Sequence, residues 1–379
     1  EYRKEVDIME RKNAWKKYSD EDKNNVFTFA DEYKTFISEC KTERECVKKA
    51  VELAKKAGYR DLQEIIAANE TLKAGDKVYA VNMKKAIVLF NIGSEPISTG
   101  MNILGAHIDS PRIDVKQNPL YENEGLAFLD THYYGGVKKY QWLSIPLALH
   151  GVVIKKDGEK VEICVGEKET DPVLVINDLL PHLGAKQREK LAKDFIDGEQ
   201  MDLLIGNRPE DGEEDAVTRR IRNLLKEKYD IEEEDFLSAE LEIVPAGRAR
   251  ECGLDNSMIL AYGQDDRVCA FTTLKGIFAV ENPKKTALAI FCLQMLSSVS
   301  NLFYCLQECF CTLKVFCRLI YYGAVNLIDF APGILRTSCP LPCWPRMRSA
   351  QIAIFPIIYR RHSQIIIMDI CQNLLMRPI

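Results

Sequence analysis

The chain has 379 residues, with 51 Lys and Arg against 56 Asp and Glu and a net charge of −5 at pH 7. That balance argues against a nucleic-acid module, which needs a basic excess gathered on one face, and an apolar content of 46% excludes a disordered acidic segment. The stretch from Glu1 to Lys23 is too charged for a secretory signal, so a cytoplasmic protein without membrane or nucleic-acid partners is expected.

In chain order, the first clear element is a helix over 42–58. Thr42 and Glu45 form a capping box, Val47, Ala50, Val51 and Ala54 form one apolar stripe, and Gly58 stands where a terminating glycine belongs. Three short apolar runs, Lys77–Val81, Ala86–Ile92 and Asn102–Ala106, suit buried strands. From Leu143 the pattern becomes β-branched, and the turn Lys156-Asp157-Gly158 predicts a hairpin. A strand over Asp171–Asp178 and a charged helix over about 184–193 are expected next. The acidic clusters Glu213-Glu214 and Glu232-Glu233-Glu234 are expected on solvated faces. Ala239–Val244 fits a strand, and Val268, Phe271, Thr272, Lys275 and Phe278 fit a helix that Pro283 stops. Thr286–Phe291 then fits a last short strand.

The composition breaks at Phe291. Residues 292–379 hold only 3 acidic and 8 basic residues, yet 8 of the 13 cysteines. Three origins are open for this charge-poor tail. It is a frameshifted or mis-joined sequence, a poor membrane anchor over Thr286–Gln307, or a divergent cysteine-rich domain with loose Cys309-x-Cys311 and Cys339-x₃-Cys343 spacings.

Two segments could carry chemistry. Gly105-Ala106-His107-Ile108-Asp109-Ser110-Pro111 follows an apolar run, so His107 and Asp109 would sit at the carboxyl end of a strand, where open α/β sheets build sites. Imidazole is a common metal ligand and a nearby carboxylate can fix its tautomer; on the spacing alone, a turn histidine bonded to a nearby Asp is the favoured reading. Asp265 and Asp266 precede the helix of 268–280, where the helix dipole favours them as caps and a carboxylate can also bridge metals. His132 and His150 lie among apolar and aromatic residues and are expected to be structural.

Taken together, GAHIDSPRIDVKQNPLYENEGLAFLDTHYYGGVKKYQW and GLDNSMILAYGQDDRVCAF resemble the aspartyl-aminopeptidase-like family of zinc aminopeptidases, in its bacterial branch, over residues 1–291. The resemblance implies an α/β fold, with a zinc-peptidase-type mixed sheet covered by helices on both faces and an inserted, mainly β oligomerisation domain. The catalytic domain would comprise 1–110 and 250–291, with 111–249 inserted. It implies two zinc ions per site, peptide substrates and a homo-oligomer formed through the inserted domain. His107 would ligate one zinc, Asp109 would be the catalytic orienting acid, and Asp265 would bridge both metals, with a strained peptide bond before Asp266. His182, in Leu180-Pro181-His182-Leu183-Gly184, resembles a substrate-binding histidine lent to a neighbouring subunit; a surface histidine is the alternative.

The same resemblance leads one to expect two consecutive glutamates just after the last strand, one as general base and one as ligand, and later an Asp and a His ligand. Here Phe291 is followed by Cys292-Leu293-Gln294-Met295-Leu296, and the remaining candidates are Glu308, Asp329, Asp369 and His362. The expectation is an aminopeptidase whose turnover is impaired, or else a non-catalytic relative that only oligomerises.

Overall fold

The computed structural model describes residues 13–212, 215–293, 351–353 and 365–367. Most of the charge-poor tail, with Glu308, Asp329, His362 and Asp369, lies outside the described residues, as does Glu213-Glu214. No helix among the described residues is long and apolar enough to cross a membrane.

The first sheet is mixed. Its strands are β1 (Arg60–Asp61), β2 (Lys77–Asn82), β3 (Ala86–Asn91), β4 (Asn102–His107), β13 (Ala287–Cys292) and β14 (Gln351–Ala353), in the order β1-β2-β3-β13-β4-β14. β13 runs antiparallel to β3 and parallel to β4. Its alternate residues divide between two cores, as a strand's period of two requires. Ala287, Ala289 and Phe291 face helices α1 (Asp20–Glu39), α2 (Glu43–Lys56) and α6 (Gln264–Ala279), while Leu288 and Ile290 join Ile65 of α3 (Leu62–Ala67). Helices therefore cover both faces, as expected, although among the described residues the second face has this short one alone.

Both long amino-terminal helices start on reciprocal caps. Ser19 and Asp22 cap α1, and Thr42 and Glu45 cap α2 as its sequence predicts. In α1, Ala30, Tyr33, Phe36 and Ile37 are buried, and three of the aromatics on this helix, Phe29, Tyr33 and Phe36, pack on Phe271 of α6.

The second sheet is built entirely from 112–245. It has β5 (Arg112–Asn123), β6 (Leu126–Tyr134), β7 (Leu147–Ile154), β8 (Lys160–Val165), β9 (Leu203–Gly206) and β10 (Ala239–Pro245), in the order β8-β7-β10-β5-β6-β9. Its core gathers Ile113, Trp142, Leu147, Met201, Leu203 and Ile243, and α5 (Ala216–Tyr229) leans on β5, β6 and β9. A small third sheet pairs β11 (Arg250–Cys252), β12 (Met258–Leu260) and β15 (Ile365–Ile367).

Two expected elements differ. Residues 171–178 form only isolated bridges, Leu174 with Leu147 and Val175 with Leu204. Val173 is 53% exposed, so the segment lacks a second buried face to extend the pairing. The helix expected over 184–193 is a single turn, α4 (Ala185–Arg188), because Leu183 and Leu191 stay in solvent and offer no buried stripe.

Where α2 and the β2–β3 turn meet the second sheet, the contact is ionic. Arg112 Nη1 reaches Glu43 Oε1 at 2.5 Å and its Nε reaches Asp114 at 2.7 Å and Glu242 at 3.3 Å, with Glu43 and Glu242 both buried. Beside it, Arg44 and Lys85 both pair with Glu240. His150 completes the seam: its Nδ1 lies 2.7 Å from Glu45 Oε1 and its Nε2 3.0 Å from Glu167, which also accepts Lys41. His150 is structural as expected, but its neighbours are charged rather than apolar. His132 is a plainer correction, being 61% exposed, stacked on Tyr133 and bonded to Glu199.

The His150 cluster has a definite pH signature. Burial alone would push its pKa down, but Cys164, Glu167 and Glu45 outweigh this and raise it to about 11. A raised folded pKa gives stability that is complete below the unfolded value and is lost as pH rises through the folded one. Glu45 and Glu167 are shifted down; for both, burial opposes the shift and hydrogen bonds to His150 overcome it. Their contribution is present above the ordinary carboxylate pKa and disappears on acidification. His150→Gln is therefore expected to lower the melting temperature more at pH 6 than at pH 10. A gap between the two proteins that does not change with pH would contradict the charged seam.

Candidate active site

β4 ends on His107, and the last residue of its parallel neighbour β13, Cys292, is in register with it. Ile108 N then donates to Cys292 O at 3.0 Å, so the two carboxyl ends stay side by side. The start of α6 arrives from the other direction. Gly263 takes φ 75°, and a Cβ there would lie 1.8 Å from Arg267 Nη1, so only glycine fits. Arg267 is fully buried and donates to Ile108 O and Lys41 O, at 3.3 and 2.7 Å, which fastens the helix start to the end of β4. Ser110 Oγ donates to Asp265 O at 2.9 Å, and the Asp265–Asp266 peptide bond is cis.

This framework brings together His107, Asp109 and Asp265. His107 Nε2 lies 3.1 Å from Asp265 Oδ1, and Nδ1 lies 3.1 Å from the Asp109 carbonyl and 3.3 Å from its carboxylate. Asp109 is buried and Asp265 half-exposed. Burial disfavours the charged imidazole, but the hydrogen bonds its ring donates to Asp109 and Asp265 and the charge of Asp266 raise its pKa to about 10. Asp266 is itself buried, which pushes its carboxyl upward despite a hydrogen bond to Cys269. His182 is not among the partners of His107 and stands in an exposed turn flanked by Leu180 and Leu183.

Zinc needs three or four N, O or S ligands around one point. His107 and Asp265 offer two donors, directed at each other, and no cluster of three or more His, Cys, Asp or Glu that could hold a metal occurs among the described residues. The described donor set does not fit a zinc centre, and the two side chains meet each other in a hydrogen bond instead.

A sequence model of the family Aminopeptidase I zinc metalloprotease (M18) matches residues 36–294, which include every residue of this arrangement. The chain belongs to the M18 family. A probable M18 family aminopeptidase 1 of Clostridium acetobutylicum is 56% identical over 285 residues, 75% of this chain and 61% of its own length. That of Borrelia garinii is 50% identical over 283 residues, 74% of this chain and 61% of its own. Among solved M18 structures, aminopeptidase I of Clostridium acetobutylicum superposes with a TM-score of 0.68 at 55% identity, covering 74% of this chain and 62% of that one. The Thermotoga maritima M18 enzyme gives 0.69 at 45% identity, covering 75% and 61%. The chain thus spans about 61% of the M18 relatives it matches, and the M18 match stops at the composition break.

Sequence reasoning singled out His107, Asp109 and Asp265 but not the residues that hold them. Ser110, Arg112, Tyr134 and Arg267 all stand in the quoted M18-like segments. Which of them touch the site depends on strand register, which the segments do not display.

Proposed function

We propose that residues 1–291 carry most of a metallo-aminopeptidase that removes the N-terminal residue of peptides, and that this chain as it stands does not turn over. In this reading His107 is a zinc ligand, Asp265 the carboxylate bridging two zinc ions and Asp109 the acid that orients His107. The observation that carries both halves is the His107–Asp265 contact of 3.1 Å at the paired ends of β4 and β13, with no third donor among the described residues. The residue following Phe291 is Cys292, where the family resemblance calls for an approaching pair of glutamates.

The reading extends to assembly. We assign oligomerisation to residues 111–249 and give His182 to a neighbouring subunit's site. Leu179, Leu180 and Leu183 flank His182 in sequence and are 54–70% exposed, apolar side chains of the sort that an interface would cover. A solved form of the distant S. cerevisiae mApe1, 17% identical with a TM-score of 0.54, is a dodecamer.

Metal analysis tests the central claim. After dialysis against buffer without added metal, the chain is expected to keep far less than stoichiometric zinc, because affinity depends on ligand number and geometry. Two tightly held zinc ions per chain would overturn it.

A further inference from the structure

Tyr134 closes the second sheet's β6 directly opposite Arg112 of β5. Its hydroxyl leaves that sheet and donates to Asp109 Oδ2 at 2.9 Å. The ring is clamped from behind, since the Arg112 guanidinium carbon sits 4.2 Å from its centroid, within cation–π range. Arg112 is itself fixed by Glu43, Asp114 and Glu242. Gly135 then turns the chain over Pro111 with φ 76°, keeping the end of β6 against the segment that follows Asp109.

We propose that Tyr134 is a positioning residue for the active site, acting through Asp109 to hold the His107 ring in its working orientation. Asp109 presents two oxygens. Oδ2 takes the Tyr134 hydroxyl, and Oδ1 lies 3.3 Å from His107 Nδ1. Fixing the first oxygen fixes the plane of the carboxylate and hence the direction from which the second meets the imidazole. Burial and the Asp109 charge both push the Tyr134 phenol upward, so it stays protonated and serves as a donor. Partners that accept the other ring N–H of a metal-ligating histidine fix its tautomer and ring orientation. Here the orienting group comes from the inserted sheet, which gives that sheet a part in the chemistry of its own subunit besides any part in assembly. The inference deepens the aminopeptidase reading and rests on it for its functional sense.

The test uses the full chain with ¹⁵N-labelled histidine and no metal or substrate, observed by NMR at one neutral pH. Tyr134→Phe keeps the ring over which Arg112 packs and removes only the hydroxyl. It is expected to shift both ring nitrogen signals of His107 while leaving those of His150 unchanged. His107 signals that superimpose on those of the parent would overturn the proposal. Asp109→Asn, which leaves β6 untouched, is expected to perturb His107 in its own right. In the Asp109→Asn chain, Tyr134→Phe should then add nothing; a further shift as large as in the parent would show that Tyr134 does not act through Asp109. Because the readout needs no turnover, an inert peptidase assay bears on the aminopeptidase reading alone.

Discussion

Replacing everything after Phe291 with the corresponding segment of the Clostridium acetobutylicum relative is expected to convert an inert chain into a peptidase. The graft point is favourable because β13 is complete at Cys292, paired on both sides and lying beside His107. New sequence therefore starts at the site with β1 to β4 and β13 as far as Phe291 already in place, and it replaces Cys292 and the edge strand β14. A positioned general base is worth about 10²–10⁴-fold in rate, and missing ligands add to that deficit, so the contrast in an aminoacyl-substrate assay should be at least about a thousandfold. Adding only a Glu-Glu pair after Phe291 should not suffice, since the later Asp and His would still be wanting. In the chimera, His107→Ala or Asp265→Ala should abolish turnover, and His182→Ala should lower it without removing zinc. Metal-dependent turnover by the unmodified chain, lost on His107→Ala, would show that the tail supplies what we regard as missing.

The second large effect is on stability. Arg112→Leu would leave Glu43 and Glu242 facing each other in the interior with their shared counter-ion gone. Both are buried, and Glu242 is already pushed well up by burial and by Glu43. Removing one partner of a buried ionic cluster costs about 3–5 kcal/mol. A denaturant titration should find Arg112→Leu destabilised by about that amount, and Glu43→Gln in the same chain should recover part of it by removing one stranded charge. An Arg112→Leu protein as stable as its parent would mean that water reaches this seam and the cluster is not truly desolvated.

Much of the first sheet was legible because its signals are local. The α2 capping box is present with both reciprocal bonds, and the apolar runs at 77–81, 86–92 and 286–291 became β2, β3 and β13. His107 proved to be the last residue of β4 rather than one beyond it. Helix α1 was missed because its first half is mainly polar and only Ala30, Tyr33, Phe36 and Ile37 form a buried stripe near its end. Strand β5 was missed for another reason. The alternation of Ile113 and Val115 with polar neighbours breaks at Gln117-Asn118-Pro119, the partner of Lys116, Asp130, is recognisable only once β5 and β6 are paired, and the register shifts between Val115 and Leu120. The site shows the same divide. His107 and Asp109 are neighbours in sequence, whereas Tyr134 reaches Asp109 only through the β5–β6 hairpin, and Glu45 meets His150 across 105 positions.

The placement of β13 also sets the order of events in folding. It fills the gap between β3 and β4, pairing with residues nearly two hundred positions earlier. The second sheet needs nothing beyond Pro245. On a ribosome the inserted sheet can therefore form while β3 and β4 still lack their central neighbour. Closing so long a loop is slow, because the entropy must be lost before the pairing is gained. During that interval the facing edges of β3 and β4 are open to other strands, so this is the stage at which the nascent chain is most prone to aggregation.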